Sequence, residues 1–314
     1  MTSYMVRRFF LMLLTLFGMS IVIFCMLRLM PGNIADIMFD SAGFIDPAAK
    51  AALEKELGLD LPIPLQYWNW ISALLTGDLG ISYVSELPAI DELGPRIPIT
   101  LKLAAMSLFF AVLFGVPFGV ISAVRQDTPL DYALRVFSLS GLSLPSFWLA
   151  LLILMACVKY FGEIPIYTDT PESLWAEFKL LLLPAAAVGF RASAIIMRLT
   201  RSSMLEVLRQ DYIRTARSKG ASERSVNYHH ALKNAILPVV TIIGIEAAFL
   251  IGGLIITETV FNIPGVAHFL VEAILKRDYP IVQNLVMLIA VVVVFMNFLV
   301  DIMYASLDPR IKYA

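Results

Sequence analysis

Residues 282–300 carry no charged side chain, and all but Gln283, Asn284 and Asn297 are Val, Leu, Ile, Met, Phe or Ala. In hydrocarbon the backbone N–H and C=O groups have no water to bond, so a run of this length folds as a membrane-crossing helix. The pattern recurs. Runs at 9–30, 100–124, 134–158, 178–199, 237–257 and 282–307 each suit a hydrocarbon layer about 30 Å thick. The reading is an all-α polytopic membrane protein with six transmembrane helices. A hydrophobic content of 59% and a mean hydropathy of +0.79 exclude an ordinary soluble domain. The chain divides into an N-terminus and first helix (1–30), an extracytoplasmic loop (31–98) and a five-helix core (99–314) with a polar loop at 201–236.

Charge sets the orientation. Arg7 and Arg8 precede the first run, which lacks the short apolar core and small-residue cleavage site of a secretory signal, so it is read as an uncleaved helix starting in the cytoplasm. Arg28 lies near its outer end, where a long side chain reaches the headgroups. With six spans, fourteen basic residues fall inside against eight outside, which places both termini in the cytoplasm. The loop 31–98 carries ten acidic residues against Lys50, Lys55 and Arg96. Within it, Asp46 and Pro47 open a short capped helix that Gly58 ends. A second short helix over 63–75 carries Tyr67, Trp68 and Trp70, residues suited to the membrane interface.

The polar loop is the place where this chain has something to dock. Between Arg198 and Lys233 stand eight basic residues against Glu206, Asp211 and Glu223. Gly220 is its only glycine, so the spacing predicts a helix, a turn at Gly220 and a second helix entering the membrane. Pro238 is expected in the first turn of the next span, where a missing donor is harmless.

The stretch DYIRTARSKGAS followed by HALKNAILP (Asp211, Tyr212, Arg214, Thr215, Ala216, Lys219, Gly220, Ser222, His230 to Ala235, Leu237, Pro238) resembles the cytoplasmic coupling loop of bacterial ABC-transporter importer permeases. The likeness is to the peptide/nickel branch, first permease type. Arg214 and Thr215 stand where the broader family has Glu and Ala, and the interval from Gly220 to Leu237 is long; both are features of that branch. Further stretches carry the same resemblance: 28–32 (RLMPG), 77–82 (GDLGIS), 140–148 (SGLSLPSFW) and 258–280, through Glu258, Phe261, Pro264, Gly265, Ala273, Arg277, Asp278, Tyr279 and Pro280.

The resemblance implies a type I ABC importer permease fold in the bacterial cytoplasmic (inner) membrane. It implies a second homologous permease, two ATP-binding subunits and an extracytoplasmic substrate-binding protein as partners. ATP and Mg would be bound by the ATPase subunits, and this chain has no Gly-rich loop ending in Gly-Lys-Ser/Thr that would make it an ATPase itself. Asp211, Tyr212, Arg214, Thr215, Ala216, Lys219, Gly220, Ala221, Ser222, Glu223 and Arg224 are the expected ATPase-coupling residues. Di- or oligopeptides are the first substrate class, with nickel chelates, glutathione or oligosaccharides as alternatives.

Polar residues inside apolar runs are the candidates for a translocation path. Glu246 is costly at lipid depth unless it faces a cavity or a partner, and on a continuous helix it shares a face with Leu250, Gly253 and Thr257. Arg191 is the candidate counter-charge. Glu258 lies at the outer mouth, either in a gate or in an ordinary turn. Ser140 and Ser143 sit before Pro145, where they either repair a kink or line a path. Gly244, Ala248 and Gly252 form a narrow face for another helix, in this chain or in a partner permease. Asp301 is expected to partner a backbone or basic group. Adjacent His229 and His230 point about 100° apart on a helix and Cys25 and Cys157 lack partner spacing, so neither a metal site nor a disulfide is expected; nor is nucleic acid a partner. Two readings of other classes stand beside the importer: an ion-coupled secondary transporter using Glu246 and Arg191, and a membrane scaffold recruiting a soluble partner or anionic lipid through the basic loop.

Overall fold

The structure, a computed structural model, describes residues 2–29, 47–56, 58–162, 167 and 171–307. Helix α1 (Thr2–Arg28) is followed by three shorter helices: α2 (Pro47–Glu56), α3 (Ile63–Leu75) and α4 (Ala89–Leu93). Then come α5 (Arg96–Val124), α6 (Pro129–Ser143), α7 (Ser146–Phe161) and α8 (Leu174–Leu208). The polar loop holds α9 (Asp211–Ser218), α10 (Glu223–Ser225) and a π-helical turn, Val226–Ala231. The chain ends with α11 (Leu232–Gly253), α12 (Ile255–Val260), α13 (Val266–Leu275) and α14 (Tyr279–Leu307). Asp46, Pro31, Gly32 and the tail from residue 308, with Arg310 and Lys312, lie outside the described residues.

Among the described residues five helical segments are long and apolar enough to cross a membrane, and α6 with α7 make a sixth span bent by 105°. The break has a local cause: Leu144 is extended (φ −86, ψ 125), as the residue before a proline prefers to be. Ser140 donates to the Val136 carbonyl at 2.9 Å and its own carbonyl accepts from Leu144 N–H at 3.0 Å, so the end of α6 is closed before Pro145 opens α7. The fifth span breaks too. It ends at Gly253, turns at Leu254 and resumes as α12, a kink where two glycines adjoin.

Helix α8 is the centre of the molecule, packing most extensively along α5 and also on α6, α7 and α11. The α5–α8 contact is close because glycine makes it so: a Cβ on Gly119 would stand 2.5 Å from Thr200 Cβ, and one on Gly115 2.8 Å from Ile196. Ala111, fully buried, continues the spacing of four that lets two backbones approach. At one end of this pair, Lys102 Nζ bonds both Glu177 carboxylate oxygens at 2.8 Å. At the other end Asp131, 0% exposed, accepts from Arg201 Nε at 3.0 Å and Nη2 at 2.9 Å. Ser122 and the Asp127 N–H complete its shell, so a buried carboxylate has the partners it needs.

The first helix packs along α14. Arg8 meets Asp301 at 2.9 Å, which supplies the basic partner expected for that aspartate. Arg28, exposed at the end of α1, donates to Gln66 Oε1 at 3.1 and 2.9 Å and stacks over Phe24, tying α1 to α3. Trp70 donates to Asn284 at 3.0 Å, while Trp68 is exposed. Gly58 (φ +64) closes α2 as expected.

Candidate coupling loop and translocation face

The loop after α8 is anchored from beneath and free on top. Ile213, Val226, Ala231 and Ala235, all 0% exposed, form one cluster with Val120, Ala123 and Met204 at the ends of α5 and α8. Ala216 and Ala221, half-buried, pack against this cluster too, while Asp211, Tyr212, Arg214, Thr215 and Arg217 on α9, and Lys219, Gly220, Ser222, Glu223 and Arg224 beyond it, are exposed. Burying one Ile side chain is worth roughly 1.5–3 kcal/mol, the largest single share of the seat. Tyr212 is also tied back, accepting from Asn234 Nδ2 at 2.8 Å.

The turn forms where the glycine predicts it. Gly220 has φ +82; its N–H bonds Arg217 O at 2.9 Å and the Ala221 N–H bonds Ala216 O at 3.2 Å, the paired bonds of a left-handed helix stop. Ser222 then caps α10 by accepting from Ser225 N–H at 3.3 Å. Across the turn Arg217 and Glu223 make a two-pronged pair at 2.9 and 3.2 Å. Being exposed, it adds little energy, but its fork geometry fixes the angle between the two limbs. Pro238 is displaced from its expected place: helix begins earlier, through the π turn, and Pro238 lies inside α11, where it removes the donor for the Asn234 carbonyl.

The polar residues of the spans divide into open and closed. Arg191 is exposed on α8, Ser143 is exposed at the α6–α7 break and Gly253 is exposed with nothing near its Cα hydrogens. Ser140 is half-buried, its hydroxyl turned to the backbone. Glu246 is 6% exposed, and among the described residues no ion pair within 4.0 Å joins it to Arg191. Because the helix breaks at Leu254, Thr257 no longer continues Glu246's face. Gly244 packs within the chain, its missing Cβ 2.5 Å from Val300, whereas Gly252 has open space.

Thr257 and Glu258 are both 0% exposed. Glu258 does not line open space: it accepts from Thr100 Oγ1 at 2.7 Å and from the Ala267 and His268 N–H groups at 2.9 Å, capping the first turn of α13. A Cβ on Gly265 would stand 2.3 Å from this carboxylate, which explains the glycine in NIPG. Nearby, Asp278 accepts from Ser82 Oγ and, at 3.3 Å, from Tyr83 N–H. Asn284 reaches the Leu79 carbonyl. The stretches 77–82 and 258–280, far apart in sequence, therefore form one assembly.

Residues 115–313 match the family described as binding-protein-dependent transport system inner membrane component, and residues 1–104 match the N-terminal part of such membrane components. The chain belongs to this family. It is 39% identical over its whole length to the dipeptide transport system permease protein DppB of Alkalihalophilus pseudofirmus, covering 100% of that protein, and 37% identical to DppB of Escherichia coli, covering 99%. It is 36% identical, again over the full length of both chains, to the glutathione transport system permease protein GsiC of E. coli. Among solved structures it superposes on a chain of the MetNI methionine ABC transporter with a TM-score of 0.56 at 17% identity, covering 68% of this chain and 94% of that one. On an amino acid ABC transporter the values are 0.55 and 15%, covering 76% and 98%. These likenesses fix the fold as that of a type I importer permease.

What sequence reasoning missed lies mostly on α5, α6 and α8. The Gly115/Gly119 spacing was visible and marks a backbone-close helix contact. Asp131, three residues after the capping Thr128 in TPLD, reads as an ordinary helix start, and only its fold partner Arg201 shows it to lock α6 to α8.

Proposed function

We propose that this chain is the permease subunit of an ATP-driven, binding-protein-dependent importer of di- or oligopeptides in a bacterial inner membrane, with both termini and the loop 201–236 in the cytoplasm. The carrying observation is the loop itself: α9 and the Gly220 turn are seated by Ile213 yet present an exposed, mostly cationic surface. Full-length relatedness to dipeptide permeases supports the substrate class. A second homologous permease, two ATP-binding subunits and an extracytoplasmic binding protein complete the machine, and ATP with Mg belongs to the ATPase subunits. Asp211, Tyr212, Arg214 to Ala216 and Lys219 to Arg224 bear on one ATPase. Closure of the ATPase pair moves α8 and α11 through that contact and turns the path, bordered by Arg191, Glu246, Ser140, Ser143 and Gly253, from inward-facing to outward-facing. Thr257 and Glu258 act at its outer gate.

The test is ATP hydrolysis by the purified complex in proteoliposomes, with and without peptide-loaded binding protein. Stimulation in the native complex, and its loss in Gly220→Pro with both ATPases still bound, is the expected outcome. If no ATPase co-purifies and uptake follows an ion gradient, the importer reading fails and Glu246 becomes the coupling group.

A further inference from the structure

Between α6 and α8, at the end nearest the coupling loop, lies a cavity of about 780 Å³ whose lining includes Arg135, Arg198, Arg201, Arg209 and Glu206. Arg201 is spoken for, because Asp131 holds it with two hydrogen bonds. Arg135 is held too, without a hydrogen bond: its Nε stands 3.6 Å from Asp131 Oδ2 and its guanidinium lies over the Tyr132 ring. Among the described residues neither Arg198 nor Arg209 has an ion pair within 4.0 Å, and both are exposed. Beyond the Asp131 cluster, one carboxylate, Glu206, stands among two unpaired guanidinium groups.

The cavity continues a stripe. On α8 the positions Arg191, Ile195, Arg198, Ser202, Glu206 and Arg209 follow one another at intervals of four, three, four, four and three residues; this keeps them on one face of the helix, and all but the half-buried Ile195 are exposed. At 1.5 Å per residue the stripe climbs about 27 Å. Arg191 lies within the apolar run 178–199, where a guanidinium against acyl chains is strongly disfavoured, so that end of the stripe faces water or protein. Leu139 and Leu142 of α6 form the apolar side of the cavity, a surface suited to side chains of no fixed identity.

We propose that this face is the inner, water-filled half of the translocation path, and that Arg198 and Arg209 make it a conduit for the free carboxylate of a peptide. The proposal rests on the importer reading given above and deepens it by naming the group recognised. A cleft lined by one sign of charge concentrates counter-ions; the exposed guanidinium groups of Arg198 and Arg209 offer a carboxylate charge-assisted hydrogen bonds. Peptides of different sequence share that carboxylate, so such a lining draws them through without reading their side chains.

The experiment uses the assembled complex in lipid nanodiscs, free of nucleotide, with Cys25→Ser and Cys157→Ser as background. Ser202→Cys and Leu139→Cys are each exposed to a negatively and a positively charged methanethiosulfonate of similar size. Any shift in the thiol's own ionisation acts on both reagents alike, so the rate ratio reports the local field. The negative reagent is expected to react about tenfold faster, and the ratio to fall towards one when Arg198→Gln and Arg209→Gln are added. Absence of reaction at both positions, while a cysteine at exposed Ser222 reacts, would mean that lipid or a partner covers the face and would overturn the proposal. So would a ratio of one or below. Dipeptide uptake at saturating binding protein should also drop about tenfold in the double Gln variant; unchanged uptake would remove the carboxylate assignment. The labelling is read whether or not the complex imports peptide, so failure here is separable from failure of the importer reading.

Discussion

Glu258 and Gly265 are fitted to one another atom against atom. With its carboxylate bonded by Thr100 and two α13 amides, Glu258 leaves no room for a methyl group on Gly265. Gly265→Ala must push the carboxylate off its donors, and overpacking with loss of buried hydrogen bonds is expected to cost about 2–4 kcal/mol; a thermal melt of the complex reads this. From the sequence, Glu258 reads as an outer-mouth residue and no more; that it is a buried cap depends on Thr100, which only the fold brings beside it.

At the scale of elements, the docking loop was the most legible part of the chain, because a positive-φ stop, a serine cap and an amphipathic helix all leave marks within a few residues. Gly220→Val forces a β-branched residue into that conformation, costing about 1–2 kcal/mol locally, and is expected to abolish stimulation of ATP hydrolysis by loaded binding protein while the subunits still co-purify. Ile213→Ala tests the seat: removing a fully buried isoleucine should cost about 2–4 kcal/mol and weaken stimulation several-fold, with basal hydrolysis retained. The helix breaks were less legible. Pro145 announces one at Leu144, but the 105° bend follows from what α6 and α7 each pack against, and the break at Leu254 has only two glycines to announce it. Pro238 misled, since a π turn upstream extended the helix past it.

For the whole molecule, six apolar runs gave the span count and the excess of inner arginines gave an orientation. That orientation predicts that, in a cysteine-free background, a cysteine at Ser222 reacts with an impermeant reagent only from the cytoplasm, and one at exposed Ser85 only from outside. Labelling of both from one side would reverse or refute the topology. What composition could not supply was the arrangement of the spans, because helices of similar hydropathy are told apart only by contacts such as Gly119 against Thr200.

That contact bears on how tightly import is kept in step with hydrolysis. Helices α5 and α8 are locked backbone to backbone; α8 ends in the docking loop, and α5 begins beside Thr100, which holds the Glu258 cap. Over about 43 Å, the length of α5 at 1.5 Å per residue, the helix runs on past Pro117 without a break, so on the proposed importer reading one continuous rod joins the ATPase-facing end to the opposite rim. Slippage, with ATP hydrolysed and nothing carried, would enter first where this stiff pair is loosened.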